Sequence, residues 1–430
     1  MARFLLDIAP VRDIPAFRRL WIGSTLSMLG SQFTVIAISL EVFELTGSTF
    51  AVGMVGFFAL VPLIIAGLYG GSIGDATDRR SAGLWTTFGL FIMTVALAAH
   101  AWLDIASVAV LYGIVALHSF AQGLNQPVRG AIVPRLVPMR QLPAANALFQ
   151  LTMGSCLMVG PLLGALTVAG LGFRWAYTVD ALSFAVSLWA MYKLPPLPPL
   201  PPIPGEDGAT SKAGFRSVVE GFRFLATRPN LRMTFLLDLA AMIFAMPRAL
   251  FPVLGASVLG GDQFTVGLLT AALAAGSVLA GVFSGTFIRI NHHGRGCAAA
   301  VAAWAVCIMA FGAVILVSSG GWGRDTAWPL VMSCLVLVAA GVMDSVSMLF
   351  RTTILQAATP DSLRGRLQGI FIVVVAGGPR LGDAVMGAGG QWLGPGFAAL
   401  VGAVICFLLV LLLMRMFPEF MRYDARDPQP

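Results

Sequence analysis

Apolar runs long enough to cross a bilayer recur along nearly the whole chain, and they leave little freedom in the choice of fold. A hydrocarbon core about 30 Å thick is spanned by roughly 20 helical residues. Twelve such runs are read, near 20–40, 51–73, 82–102, 105–126, 144–169, 174–192, 231–255, 264–288, 297–318, 327–350, 367–392 and 396–416. Short polar or Gly/Pro-marked turns separate them. Backbone amides in hydrocarbon must find partners within their own segment, and runs this long without alternating polarity favour helices over barrel strands. The expected fold class is therefore an all-α membrane protein. With 58% hydrophobic and 11% charged residues, the 430-residue chain also has too little polar surface to coat a soluble globule.

Basic residues set the expected orientation, because Lys- and Arg-rich loops stay cytoplasmic. With both termini inside, all but four of the 27 Lys and Arg residues fall on the cytoplasmic side, the exceptions being Arg174, Arg248, Arg324 and Arg380. The net charge of +7 thus reports topology and not nucleic-acid binding. The first apolar run is span-length and lacks a small-residue cleavage site, so no cleavable signal is read. Cys156, Cys297, Cys307, Cys334 and Cys406 all lie in or at the ends of apolar runs, without a CxxC pair, and read as small core hydrophobes. His292 and His293 read as a solvated turn in preference to a metal site. No cofactor and no metal is expected. The expected surroundings are the lipid bilayer of the inner (cytoplasmic) membrane, with the chain as a monomer.

The chain divides about its middle. Seven prolines between Pro195 and Pro204 forbid helix and favour extended polyproline geometry, as in a semi-rigid linker. After it, Phe215, Val218, Val219, Phe222 and Leu225 recur at helical spacing, as in a helix lying in the membrane interface. The expected organisation is a six-helix half over 1–192, a cytoplasmic linker with an interfacial helix over 193–230, a second six-helix half over 231–416 and a cytoplasmic tail over 417–430. The halves echo one another. FAVGMVGFFALVPLIIAGLYGGS from Phe50 aligns with FTVGLLTAALAAGSVLAGVFSGT from Phe264, matching Gly53, Gly67 and Gly71 to Gly267, Gly281 and Gly285. RGAIVPRLVP from Arg129 pairs with RTTILQAATP from Arg351. Parallel six-helix halves around a midplane cavity are the architecture of alternating access.

The loop after the second run reads GGSIGDATDRR, with Gly71, Asp75, Arg79 and Arg80 at the spacing of the major facilitator signature, which it resembles. That signature has a basic residue directly after the aspartate and a glycine three after it; here Ala76 and Asp78 stand instead. Such a loop holds charge pairs that break and reform as the halves rock, and Arg129 and Arg351 are grouped with it as cytoplasmic gating residues. GPLLG, with Gly160, Pro161 and Gly164, resembles the core of the motif of facilitator antiporters. The arginine of the RxxxG pattern common in drug antiporters is missing, since HSFAQG puts Ser119 in its place. LNQPVRGAIVPRLVPMRQLPAANAL from Leu124, YTVDALSFAVS from Tyr177 and TILQAATPDSLRGRLQGIF from Thr353 resemble the branch that holds siderophore exporters and macrolide efflux proteins. The resemblance implies a twelve-helix major facilitator fold and a proton-coupled exporter of a siderophore-like molecule, with a multidrug or macrolide pump as the alternative.

An ionisable group inside a transmembrane helix costs about 2.5 to 3.5 kcal/mol on insertion scales, so each one needs a reason. Arg248, Arg380, Asp383 and Glu41 are read as substrate contacts, and Asp238 and Asp383 as proton carriers. Asp180 and Asp344 lie nearer the run ends and read as helix anchors; Glu41 reads either as a further protonation site or as a group facing periplasmic water. An enzyme would need a nucleophile and base, a metal cluster or paired carboxylates. His100, His118, His292 and His293 enter no such constellation, and no GxxxxGK run followed by Ser or Thr supplies ATP chemistry.

Overall fold

A computed structural model describes residues 8–76, 78–138, 141–198, 223, 225–259, 261, 263–282, 292–320, 326–358 and 361–423. Among these residues every regular element is a helix. A short α1, Ala9–Asp13, precedes α2 (Pro15–Thr46), α3 (Thr49–Ala76), α4 (Arg79–Trp102), α5 (Val108–Leu136), α6 (Leu142–Leu171) and α7 (Phe173–Tyr192). Then come α8 (Pro229–Phe244), α9 (Gln263–Val282), α10 (His293–Ser319), α11 (Trp328–Ala358), α12 (Asp361–Leu393), α13 (Pro395–Met416) and the single turn α14 (Pro418–Met421).

Ten stretches among the described residues are both long and apolar enough to cross a membrane. The helices α7 and α12 have the length, but Arg174 and Asp180 in one and Arg380 and Asp383 in the other lower their hydropathy. The seventh expected run differs most from its reading. Its helix stops at Phe244, and the chain resumes as a 3-10 turn, Arg248–Leu250, followed by a π turn, Leu254–Val258. Pro247 supplies the reason, since it donates no amide, collides with the preceding helical turn and disfavours helix at Met246. By contrast α5 runs ten residues past its expected end, through Pro127 and Pro134.

By contacts the chain forms two compact units, Met1–Ile38 with Phe58–Phe215, and Ser39–Phe57 with Arg216–Pro430. In the first unit α4 packs against both α5 and α7, and α6 lies close on α2. A Cβ on Gly160 would sit 2.5 Å from the Gln32 Cβ, and one on Gly164 would sit 2.9 Å from the Phe33 Cα. These antiporter-like glycines therefore make room for α2. In the second unit α10 lies against α11 and α13, α9 packs on α11, and α8 on α12. The hairpin Ser39–Phe57 belongs here because it packs on α12. Thr49 Oγ1 donates to the Gly387 carbonyl at 2.9 Å, Ser48 Oγ to Gln391 Oε1 at 2.9 Å, and a Cβ on Gly56 would come within 2.8 Å of the Arg380 carbonyl oxygen. Both units turn a corner in the same way: Gly172, between α6 and α7, and Gly394, between α12 and α13, each take φ +84°, a conformation that side chains resist.

The start of the proline run is docked, not a tether. Leu194 and Leu197 are buried in a core cluster with Phe17, Leu20, Ile132 and Met191. The Leu197 N–H donates to Asp78 Oδ2 at 2.9 Å and its carbonyl accepts from the Arg79 N–H at 3.0 Å. Arg135 donates to the Pro198 carbonyl at 3.3 Å and Arg19 to the Lys193 carbonyl at 3.2 Å. Residues 199–222 of the linker, with most of the expected interfacial helix, lie outside the described residues. His293 also departs from its reading: it opens α10 buried, with its ring 5.2 Å from Phe350, whereas His292 is exposed.

Asp78 does two things at once, since its other oxygen accepts from the Ser81 N–H at 2.9 Å and caps α4. Asp78→Ala is expected to cost about 1 to 2 kcal/mol through loss of the cap and of the Leu197 partner. The thermal midpoint of the purified protein in detergent should fall accordingly; an unchanged midpoint would remove Asp78 from this role.

Candidate functional site

The first unit holds an open cavity of about 810 Å³ between α2, α5 and α6. Its polar wall comes from helical periodicity. Gln122, Asn125, Gln126 and Arg129 follow one another at i, i+3, i+4 and i+7 on α5, and so share a face. Asn146 and Gln150 are one turn apart on α6, and Ser24, Ser27 and Ser31 line α2. The frame behind these groups is rigidly tied. Asn125 Nδ2 donates to Thr86 and Thr87 on α4 at 2.9 and 3.1 Å, and Trp21 Nε1 donates to Thr152 Oγ1 at 3.1 Å. The Arg129 guanidinium donates to the Ser24 hydroxyl. Among the described residues no Asp or Glu lines this cavity.

The second unit carries the charges. Arg351, 4% exposed on α11, is ion-paired with Asp238, equally buried on α8, and lies 3.7 Å from Asp344. Arg248 acts electrostatically on both Asp344 and Asp383, and Arg380 on Asp383. Asp383 Oδ1 is buried without a hydrogen-bond partner. Arg351 is thus paired with Asp238 and Asp344, and Arg248 and Arg380 are electrostatically linked to the acids around them, a form in which buried charge is tolerated.

The residues singled out in the sequence are distributed as follows. Arg248, Arg380, Asp383 and Asp238 fall together in the second unit, as does Glu41. Glu41 is 7% exposed, so the reading in which it faces water is corrected. Arg129 and Arg351, expected in cytoplasmic loops, lie instead inside α5 and α11. Arg80 donates to the Tyr192 carbonyl at 2.8 Å and stacks on its ring, tying α4 to α7, and the Arg79 amide holds Leu197. Gly71 and Asp75 fall in the last turns of α3, and the Asp75 side chain lies outside the described residues. Asp180 is fully buried and accepts from Thr34 Oγ1 at 2.6 Å, which fixes α7 to α2. The amide stripe of the first cavity was missed by a search for charges alone. Its signal was present, because amides spaced by three and four residues inside an apolar run mark a wetted helix face.

The profile of MFS_3, described as transmembrane secretion effector, matches residues 7–430. The chain belongs to this family. Relatives of this secretion effector include the enterobactin exporter EntS of Citrobacter koseri, 26% identical over 428 residues, with 99% of this chain and 98% of that protein covered. The enterobactin exporter EntS of Shigella boydii is likewise 26% identical, over 426 residues, covering 99% and 97%. Among solved structures, a variant of the nucleoside transporter NupG superposes with a TM-score of 0.75 at 13% identity, covering 94% of this chain and all of that one. A bacterial homologue of the iron transporter ferroportin in its inward-facing state gives 0.65 at 14% identity, covering 95% and 98%. These likenesses establish the fold, that of the major facilitator transporters. Membership of the transmembrane secretion effector family, with full-length relatives named exporters, makes the chain a multi-pass membrane transporter and not an enzyme.

Removing one member of the buried Asp238–Arg351 pair strands the other. Asp238→Leu alone is expected to destabilise the protein by about 3 to 5 kcal/mol, and Asp238→Leu combined with Arg351→Leu by clearly less. Thermal unfolding of wild type, Asp238→Leu, Arg351→Leu and the double variant in one detergent measures this, and additive losses would show that the pair is not energetically coupled.

Proposed function

We propose that the chain is a secondary exporter of the inner membrane, with both termini cytoplasmic, acting as a monomer. It moves a small organic molecule of siderophore-like chemistry outward by alternating access of its two halves. The single observation that carries this reading is the 810 Å³ cavity walled by amides, hydroxyls and one guanidinium inside an otherwise apolar helix bundle. A wetted pocket of that size suits a polyoxygenated molecule and has no use in a purely structural bundle. The full-length relatedness to proteins named enterobactin exporters supports the cargo class.

Export against a gradient needs an energy source, and protons are the proposed one. Asp383, with its unbonded carboxylate oxygen, and Asp238, ion-paired with Arg351, are the proposed carriers. A proton arriving on either aspartate removes the charge that holds an arginine in place, and so couples titration to helix movement. Arg248, exposed beside the Pro247 break, and Arg380, with buried Glu41, are proposed to contact cargo as it passes the second unit. The gating role proposed for Gly71, Asp75, Arg79 and Arg80 rests on their motif. Efflux of macrolides or mixed drugs is the alternative cargo reading.

The test is flux in proteoliposomes of the full chain under an imposed proton gradient, against a panel of siderophores and drugs. Gradient-dependent movement of a siderophore is the expected result; movement of cationic drugs alone would favour the alternative, and no flux of any compound would defeat the exporter reading. Neutralising Arg248 or Asp383 should abolish flux while protein levels stay normal, and full transport by both variants would take them out of the pathway.

A further inference from the structure

The repeat that relates the two halves makes Arg129 and Arg351 counterparts, and the structure gives each the same kind of partner. Ser24 stands 26 residues before Phe50, where the first echo begins, and Asp238 stands 26 residues before Phe264, where its copy begins. Arg129 and Arg351 open the two copies of the second echo, and the matching corner glycines Gly172 and Gly394 each follow 43 residues later. The Arg129–Ser24 contact on α5 and α2 is therefore the same contact as Arg351–Asp238 on α11 and α8. One substitution separates them. In the second unit the guanidinium meets a carboxylate, with Asp344 beside it; in the first it meets a hydroxyl.

The consequence is electrostatic. A hydroxyl can accept a hydrogen bond but cannot cancel a positive charge, so Arg129 keeps its field in a low-dielectric bundle. Among the described residues the titratable groups that line the cavity with it are His118 and Cys156, neither of them an acid that bears charge at neutral pH by its ordinary value. The deeply buried acid of this unit, Asp180, does not line the cavity and is engaged by Thr34 and Ser183. Neutral amides on the surrounding wall, Gln32, Gln122, Gln126, Asn146 and Gln150, add donors for oxygen without adding charge. A guanidinium in such a place binds carboxylate or ionised phenolic oxygen through paired hydrogen bonds.

We propose that the cavity of the first unit is an anion-selecting cargo site in which Arg129 is the specificity-determining residue, taking small organic acids and ionised catechol-type oxygens in preference to neutral or cationic molecules. The inference deepens the export reading and rests on it only in taking the occupant to be cargo. It also chooses between the two cargo classes, because a cationic macrolide or drug would face an uncancelled like charge.

The test measures binding and not transport. Full-length protein in nanodiscs of uncharged-headgroup lipid is titrated at neutral pH with salicylate and with salicylamide, which share a ring and a hydroxyl but differ in charge, by intrinsic tryptophan fluorescence. Wild type should bind salicylate tighter by about tenfold or more. Arg129→Gln and Ser24→Asp, the latter supplying the carboxylate of the other unit, should both bring the ratio close to one. Arg129→Lys should keep part of it, because a point charge remains while the fork is lost. Gln150→Glu, a near-isosteric change on an exposed wall residue, should also reduce it, and decides the question if the Arg129 variants do not fold. Equal binding of the two probes by wild type, or an unchanged ratio in Arg129→Gln or in Gln150→Glu, would overturn the assignment. Selective binding without any flux would refute the exporter reading, and with it the occupant's role as cargo, but would leave the anion selectivity of Arg129 standing; flux without selectivity would overturn the Arg129 assignment alone.

Discussion

A backbone amide or a charged side chain inside hydrocarbon has no water to turn to, and each must find its partner within the protein. The first half of that constraint makes every regular element among the described residues a helix. The second half selects which charges are kept. Arg351 is tolerated at 4% exposure because Asp238 and Asp344 surround it, and Asp180 because Thr34 donates to it from the next helix. Where the backbone itself breaks, at Ala245–Pro247, the chain stays in contact with neighbours and opens a place for Arg248 next to Asp344 and Asp383.

The same constraint gives the duplicated architecture its functional asymmetry. Two repeats that share corner glycines and an arginine on equivalent helices differ in the group that answers the arginine. Linked charges in one unit and an amide-lined guanidinium in the other are different chemical tools. In the proposed mechanism the linked charges of the second unit respond to protons, since neutralising one carboxylate unbalances them, and the amide-lined cavity responds to the electronic character of whatever enters. A major facilitator scaffold thus supports division of labour without any change of fold.

Legibility in the sequence followed the strength of the physical signal. Span-length apolar runs are strong signals, and helix bounds such as Phe173–Tyr192 and Pro395–Met416 fall within a residue or so of their expectation. Intramembrane charges are strong signals too, and Arg248, Asp238, Arg380 and Asp383 do gather in one unit. Helix ends that continue through polar residues are weak signals, and the loop expected at Arg129 is in fact the last turns of α5. The polar stripe from Gln122 to Arg129 was readable as a periodicity, but amides carry no charge and stand out little in a hydropathy profile. Asp78 departs from the motif; its cap on α4 is a local contact with Ser81, but its hold on Leu197 joins residues more than a hundred positions apart.

The sequence by itself determined that this chain lives in lipid, that it is helical, that it is duplicated and that its buried charges are few. Each of those follows from the length and period of apolar runs, which are local properties. Only the tertiary structure decided which of the charges cancel. Pairing depends on which helix faces turn towards one another, and that is settled by small-residue contacts such as Gly164 against Phe33, where a single Cβ would push the helices apart.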